Sequence, residues 1–270
     1  MIRFAGSKIN IGLRVTEKRP DGFHNIESIF YPIPLNDVIE AVPANDDDLS
    51  LQIEGIHIDG DIKQNLVYKA WQLLRDRHTI SGNKAALLKC VPTGAGLGGG
   101  SSDAANMLLL LNDLNNLKLP TTLLEEYAAM LGSDCPFFIE NTPKYVTGRG
   151  EILSPIELSL AGYHLMLIHP KVHVSTPVAY SMITPHPADV DLRALIDLPV
   201  DQWHSVAQND FQTPMCNAFP AIREALNIVA FANPLFSSMT GSGSAVYGLF
   251  DKEPEMPETP ENWFSKIVKL

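Results

Sequence analysis

Residues 92–105 read PTGAGLGGGSSDAA. Five glycines fall within the seven positions 94–100, a density that suits neither a strand nor a helix interior, because each glycine there gives up backbone entropy. Upstream, Lys84 to Val91 predicts a strand. Downstream, Ala104, Met107, Leu108, Leu111 and Leu114 share one face at helical spacing. A glycine-rich turn that feeds a helix collects free amides and the positive end of the helix dipole at one place. Such a place holds an anion, and phosphate is the anion it suits. The stretch therefore predicts a mixed α and β protein that grips a phosphate-bearing ligand.

Three phosphate loops compete for this segment, beside the plain alternative of a flexible loop that binds nothing. Gly94, Gly96 and Gly99 satisfy the dinucleotide pattern GxGxxG. That fingerprint requires an acidic residue after a second strand about 20 residues on, and two successive predicted helices fill that space. A Walker A loop ends in GK[ST], whereas this one ends Gly100-Ser101-Ser102 and has no lysine. The third pattern, P-x-x-x-G-L-G-S/G-S-S, resembles the phosphate loop of GHMP kinases, with Pro92, Gly96, Leu97, Gly98, Ser101 and Ser102 in step.

Bulk properties narrow the partners. The chain has 270 residues, 45% of them hydrophobic and 19% charged, enough for one large domain or two smaller ones. A formal net charge of -11 argues against nucleic acid or an anionic membrane as partner. It leaves room for a nucleotide, since a phosphate site is a local arrangement of amides. Cys90, Cys135 and Cys216 lack metal-type spacing and predict buried reduced thiols. The opening MIRFAGSKINIGLRV has no apolar run of signal type, and Met107 to Leu111 is too short to span a bilayer. A cytoplasmic protein is expected.

Along the chain, Ile9, Ile11, Leu13 and Val15 alternate as in a strand, a turn follows at Arg19–Gly22, and Ile26 to Ile33 predicts a second strand. The segment 44–49, with three aspartates in a row, reads as a solvated loop. Leu51, Ile53, Ile56 and Ile58 suggest a short hairpin. Asn65 is placed as the cap of a helix reaching about His78. Thr122 with Glu125 predicts a capping box, Gly132 ends that helix, and Ser133 or Asp134 is expected to open another, with Pro136 in its first turn. Beyond Gly148-Arg149-Gly150, strands are predicted at 163–169, 235–239 and 245–250, and helices from Thr176-Pro177 and over 220–231. The pattern changes near 148–160, which predicts domains at 1–152 and 153–270.

Further segments narrow the resemblance. SKINIGLRVTEKRPDGFHNIESIF from Ser7, Asn65-Leu66-Val67, LGSDCPFFI from Leu131, GRGEIL from Gly148 and MTGSGSAVYGLF from Met239 occur in this order. Together they resemble the 4-diphosphocytidyl-2-C-methyl-D-erythritol kinases of the GHMP superfamily, over essentially the whole chain. Other GHMP kinases share the glycine loop but not the KIN…RPDGFH opening. The resemblance implies an α+β, two-domain GHMP kinase fold. Its N-terminal domain would be ribosomal protein S5 domain 2-like and its C-terminal domain ferredoxin-like, with the active site in the cleft. It implies ATP as phosphoryl donor with Mg²⁺, and a small-molecule acceptor linked to cytidine diphosphate. A monomer or a homodimer is compatible with it.

Site residues follow from the matched motifs. The ATP-binding set is Pro92, Thr93, Gly94, Ala95, Gly96, Leu97, Gly98, Gly99, Gly100, Ser101, Ser102 and Asn65. Lys8 and Asp134 match the lysine and aspartate at the acceptor hydroxyl. Asp134, read as starting a helix beside a lysine, is expected to have a lowered pKa; whether it serves as general base or as orienting group stays open, because a loose transition state needs little deprotonation. Phe23 and His24 match the pair that reads cytosine, Phe23 by stacking and His24 by its ring nitrogens. Family members often carry tyrosine at the Phe23 position, which would add a hydroxyl absent here. Tyr180 matches a second stacking aromatic, and Asn10 and Thr176 match polar contacts to the diphosphate and erythritol portion. Gly241, Ser242 and Gly243 lie in the loop that would close over the phosphates, with a plain hairpin loop as the alternative. The remaining histidines show no ligand spacing, no residue is assigned to metal, and Ser102 is the one suggested Mg²⁺ contact.

Overall fold

The computed structural model describes residues 1–45 and 47–270. Asp46, the first of the three aspartates of the expected solvated loop, lies outside the described residues. Two strands, β1 (Ile2–Lys18) and β2 (His24–Pro43), are long enough to serve both of the units into which the chain groups. The first unit holds residues 1–7, 35–93 and 98–142, and the second holds 8–34, 94–97 and 143–270. The expected cut at 152/153 does not coincide with this grouping. Residues 8–34 and 143–152 fall in the second unit, where Ser28–Phe30 of β2 pair antiparallel with Lys144–Val146 of β5 (Lys144–Thr147).

In the first unit, residues 38–43 of β2 pair antiparallel with β4 (Asn83–Lys89), and β4 pairs in parallel with β3 (Leu49–Gly55). The hairpin expected at 51–58 is thus a correction. Gly55 turns at φ +84, where a Cβ would meet the Lys89 carbonyl oxygen at 2.3 Å, and helix α1 (Leu66–Arg77) carries the chain across so that β4 runs parallel to β3. Asn65 caps α1 as expected, its Oδ1 accepting from the Val67 amide at 2.9 Å. Val67, Ala70, Trp71 and Leu74 form the buried face of α1 at helical spacing. They pack with Ile39, Leu87, Met107, Leu108 and Leu111 into one core.

Helix α2 (Gly99–Leu114) starts earlier than its apolar stripe announced, taking Gly99 and Gly100 into its first turn. The first turn has no preceding carbonyl to bond, so glycine there costs less than in the interior. Helix α3 (Thr121–Leu131) begins one residue before the expected capping box, with Pro120 as its cap, no side-chain cap bond, and the Pro120 carbonyl accepting from Leu123 and Leu124. The helix expected to open at Ser133 or Asp134 is instead a turn over 133–136 that leads into the short α4 (Phe137–Glu140), with Pro136 at its cap.

The second unit carries β5, β6 (Ile152–Pro155) and a four-stranded antiparallel sheet made of β7 (His164–His169), β8 (Phe236–Met239), β9 (Val246–Phe250) and β10 (Phe264–Lys269). Its order is β10-β7-β9-β8, which renumbered within the sheet is the 4-1-3-2 order of ferredoxin-like folds. The second helix of that motif is replaced by the Pro- and Glu-rich stretch 253–261, which forms no helix. Helices α5 (Thr176–Ser181), α6 (Gln212–Ala218) and α7 (Pro220–Phe231) lie between β7 and β8 in the chain. Met215, Ile222, Ala225 and Val229 pack with Met166, Ile168 and Val246 of the sheet and with Leu13 and Val15 of β1. No helix among the described residues is long and apolar enough to cross a membrane. All three cysteines are free. Cys135 and Cys216 are buried as expected, whereas Cys90 is half-buried.

Candidate active site

The glycine loop joins β4 to α2, and its inner wall is made by carbonyls rather than amides. In the second unit the Ala95, Gly96 and Leu97 carbonyls accept, respectively, from the Ala245 amide at 3.2 Å, the Thr240 hydroxyl at 3.0 Å and the Lys8 amide at 3.0 Å. The Ala95 and Leu97 side chains point inward, each 1% exposed. Three consecutive carbonyls are thereby held against protein donors. The amides of Gly99, Gly100 and Ser101 in the first turn of α2 have no carbonyl one turn back within the helix. The arrangement is a bed of backbone dipoles with its positive side available to an anion.

Gly96 is fixed by necessity. Its φ is +79, and a Cβ there would stand 2.1 Å from the Thr240 carbonyl oxygen. A Cβ on Gly241 would in turn meet Gly96 Cα at 3.0 Å. The 240–244 loop connects β8 to β9, so the hairpin description of Gly241, Ser242 and Gly243 holds, yet the loop does not hang free. Asn209 Nδ2 donates to the Met239 and Gly241 carbonyls at 2.7 and 3.0 Å, and Ser244 Oγ donates to the Val172 carbonyl at 2.6 Å. This loop packs directly against residues 95 and 96 of the glycine loop.

Lys8 and Asn10 stand on β1, 3% and 1% exposed. Lys8 Nζ donates to Asn10 Oδ1 at 2.5 Å and lies 4.4 Å from the Phe30 ring centroid. Asn10 Nδ2 donates to Ser28 Oγ at 2.8 Å, its amide donates to Thr240 Oγ1 at 3.0 Å, and its carbonyl accepts from the Tyr247 hydroxyl at 2.9 Å. Asn10 is engaged on every side by protein. Its side-chain oxygen gives the Lys8 ammonium a hydrogen-bond partner inside the second unit.

Phe23 is 53% exposed on the turn after β1, with the Arg149 guanidinium 4.9 Å from its ring centroid. His24 stacks on Tyr180 of α5 at 4.8 Å between centroids and 22° between planes, and Tyr180 meets Phe211 edge-on at 4.9 Å. The structure thus brings His24 and Tyr180 together in the second unit. Burial, then the nearby Lys18 ammonium, lowers the His24 pKa, so its ring is neutral near pH 7 and offers one donor and one acceptor. Thr176 is exposed at the start of α5.

In the first unit Asp134 is half-buried in the 133–136 turn. Its neighbour Cys135 is buried, and burial pushes that thiol up to about 12, so it is no nucleophile at neutral pH. Ser102, the suggested metal contact, is fully buried and its hydroxyl accepts from Asn106 Nδ2 at 3.3 Å. Asn65, assigned to ATP, uses its side-chain carbonyl as the α1 cap. No group of three or more His, Cys, Asp or Glu among the described residues is placed to hold a metal ion.

One cluster was not anticipated. Lys89, 2% exposed, donates to Asp37 Oδ2 and to Asp103 Oδ2, the latter at 2.7 Å. Asp37 Oδ1 accepts from the Cys90 and Val91 amides at 2.6 and 2.8 Å. Burial above all, moderated by Lys89 and reinforced by Asp37, raises the Asp103 carboxyl to about 7. The folded chain therefore holds a proton that the unfolded chain releases. That contribution to stability is complete below the ordinary value of 3.8 and is lost as pH rises through about 7. The signal was present in the sequence: Lys89 and Asp37 occupy the buried, odd-numbered phase of their strands, where a charge requires a partner.

Residues 65–141 match the family model for the GHMP kinases N terminal domain. A 4-diphosphocytidyl-2-C-methyl-D-erythritol kinase of Bacteroides thetaiotaomicron is 46% identical over 269 residues, spanning 99% of this chain and 97% of the relative. One of Cytophaga hutchinsonii is 40% identical over 272 residues and covers 100% of both. Among solved structures, a 4-(cytidine 5'-diphospho)-2C-methyl-D-erythritol kinase has a TM-score of 0.78 at 31% identity, covering 92% of this chain and 90% of that one. Phosphomevalonate kinase of Streptococcus pneumoniae, solved with phosphomevalonate and AMPPNP, shares the fold alone, with a TM-score of 0.67 at 12% identity over 94% of this chain and 93% of that one.

Proposed function

The chain belongs to the 4-diphosphocytidyl-2-C-methyl-D-erythritol kinase family, and from that premise we infer that it transfers the γ-phosphoryl group of ATP to the 2-hydroxyl of 4-diphosphocytidyl-2-C-methyl-D-erythritol. The products are the 2-phosphate and ADP, in the non-mevalonate route to isoprenoids. The observation that carries this reading is near full-length identity of 46% to a protein of that name, rather than the shared fold, which hosts several acceptors.

The glycine loop holds the triphosphate through its amides. Lys8, hydrogen-bonded to Asn10, brings its ammonium to the acceptor hydroxyl and to the charge spread over the travelling phosphoryl group. Asp134 accepts a hydrogen bond from that hydroxyl and receives its proton as the new O–P bond forms and the bond to the β-phosphate oxygen breaks. Phe23, His24 and Tyr180 form the cytosine-reading group: the aromatic faces stack, and neutral His24 matches a pyrimidine edge. A Mg²⁺ ion would accompany ATP and would neutralise part of the phosphate charge. The buried Ser102 hydroxyl, bonded to Asn106, does not fit a metal contact.

Two measurements test the reading. In a coupled ADP-release assay, turnover should depend on the cytidine-linked acceptor and stay at background with homoserine or mevalonate; equal turnover with either of these would refute the acceptor. Phe23→Ala should raise the KM of the cytidine substrate roughly tenfold, the worth of one base stack, and leave the KM of ATP within about twofold. An unchanged acceptor KM would remove Phe23 from the cytosine contact.

A further inference from the structure

The Lys89 cluster lies where the two stems of the glycine loop meet. Asp37 holds the incoming stem, because its Oδ1 takes the amides of Cys90 and Val91 immediately before Pro92. Asp103 belongs to the outgoing stem, in the first turns of α2. Lys89 Nζ joins the two carboxylates. Gly99 removes any side chain from between them: a Cβ there would stand 3.0 Å from Val91 Cγ1 and 3.5 Å from Asp37 Oδ2. Asp103 is 2% exposed, and its second oxygen, Oδ1, has no hydrogen-bond partner among the described residues. No part of the reaction scheme uses this oxygen.

We propose that Asp103 is a positioning residue of the phosphate loop, acting through Lys89 and Asp37, and that binding of a nucleoside triphosphate to the loop is coupled to uptake of one proton by the Asp103 carboxylate. The proposal rests on the kinase reading above. With both carboxylates ionised the cluster carries one net negative charge; with Asp103 protonated it carries none. A polyanion seated on the amides of the same loop repels the first state and tolerates the second. The groups that face Asp103 are Lys89 from β4 and Asp37 from β2, and a proton on Asp103 can be donated to Asp37 while Lys89 stays bonded to both. Burial already brings this carboxyl to the edge of neutrality, so a nearby anion acts where the balance is finest. The proton comes from a hydronium ion or a buffer acid in solvent, whose bond to it breaks as one O–H bond forms on Asp103.

The test compares the wild-type chain with Asp103→Asn, a neutral mimic of the protonated form that keeps an acceptor for Lys89. ATP binding is measured calorimetrically without the acceptor alcohol, from pH 6.5 to 8.5, in two buffers of different ionisation enthalpy. The ligand's own titration is common to both proteins and cancels in the difference. Between those pH limits the wild-type Kd should rise about three- to tenfold more than that of the variant. The wild type should also take up roughly half a proton more per ATP near pH 7.5. A part that is merely structural would shift melting temperature and leave both slopes equal. Equal pH slopes and equal proton counts with ATP still bound overturn the proposal and leave the kinase reading standing. Absence of ATP binding by the wild type at every pH overturns both. If the variant does not fold, wild-type proton uptake no greater than that of ATP's own titration overturns the coupling by itself.

Discussion

Asp134→Ala should lower kcat by on the order of 10²- to 10⁴-fold, the usual worth of a positioned proton acceptor, while the ATP Kd stays within about threefold. The reason for the split is local. Asp134 stands in the 133–136 turn of the first unit, half-buried, outside the glycine loop and outside the Lys89 cluster that ties its stems. Triphosphate binding rests on the loop's backbone amides, so it should persist. The loss should fall on the step in which the hydroxyl proton has to leave. Asp134→Asn separates the two jobs of the carboxylate. If it recovers most of the activity, orientation of the hydroxyl is what matters; if it is as inactive as alanine, proton acceptance is. Steady-state kinetics with ATP binding measured on the same preparation decides it, and parallel losses in kcat and ATP affinity would show that Asp134 holds structure instead.

Gly96→Ala should be strongly damaging for a single added methyl. Two costs add. A left-handed φ of +79 strains any side chain, by about 1–3 kcal/mol. The new Cβ would also sit 2.1 Å from the Thr240 carbonyl oxygen, and forced overpacking costs about 1–3 kcal/mol more. The obstacle is backbone, and Thr240 is held in turn by its own bonds to Asn10 and Gly96 and by the Asn209 clamp on its flanks. Neither side can yield cheaply. The melting temperature should fall by on the order of 5–10 °C and the KM of ATP should rise more than about tenfold, because relief of the clash moves the loop amides. Gly100→Ala is the control for stability: a Cβ there meets no protein atom within 4 Å, and the melting temperature should change little. If the two substitutions behave alike, the contact with Thr240 does not shape the loop.

How much was legible in advance depended on the range of the interaction. Periodicity over a few residues located β4, α1, α2, α7, β7, β8 and β9, since each is set by which side chains can share a face, but not β5, β6 or β10. The Asn65 cap was legible because a cap is a bond between neighbours, two residues apart. The capping box at Thr122 failed because Pro120 caps α3 two residues earlier and leaves the threonine inside the first turn. The hairpin at 51–58 failed for the opposite reason. Alternation fixes that a strand exists but not its partner, and β3 found β4 across an intervening helix.

The amino-acid order by itself determined that a glycine-rich loop lies between Pro92 and Ala105, that it opens a helix, and, through segments spread over the whole chain, which family the protein belongs to. It did so because glycine spacing and helix starts are local physics, and because ordered motifs survive as text. Only the tertiary structure decided what the loop leans on: Thr240 against Gly96, Asn10 beneath Lys8, and the Lys89 ammonium between Asp37 and Asp103. Those partners lie 144, 2, 52 and 14 residues apart. The close Lys8–Asn10 pair belongs with the distant ones, because it matters only once β1 has buried both side chains and the chain beyond residue 240 has folded onto them. Desolvation turns such pairings from incidental into obligatory, and desolvation is a property of the packed molecule that no stretch of residues possesses alone.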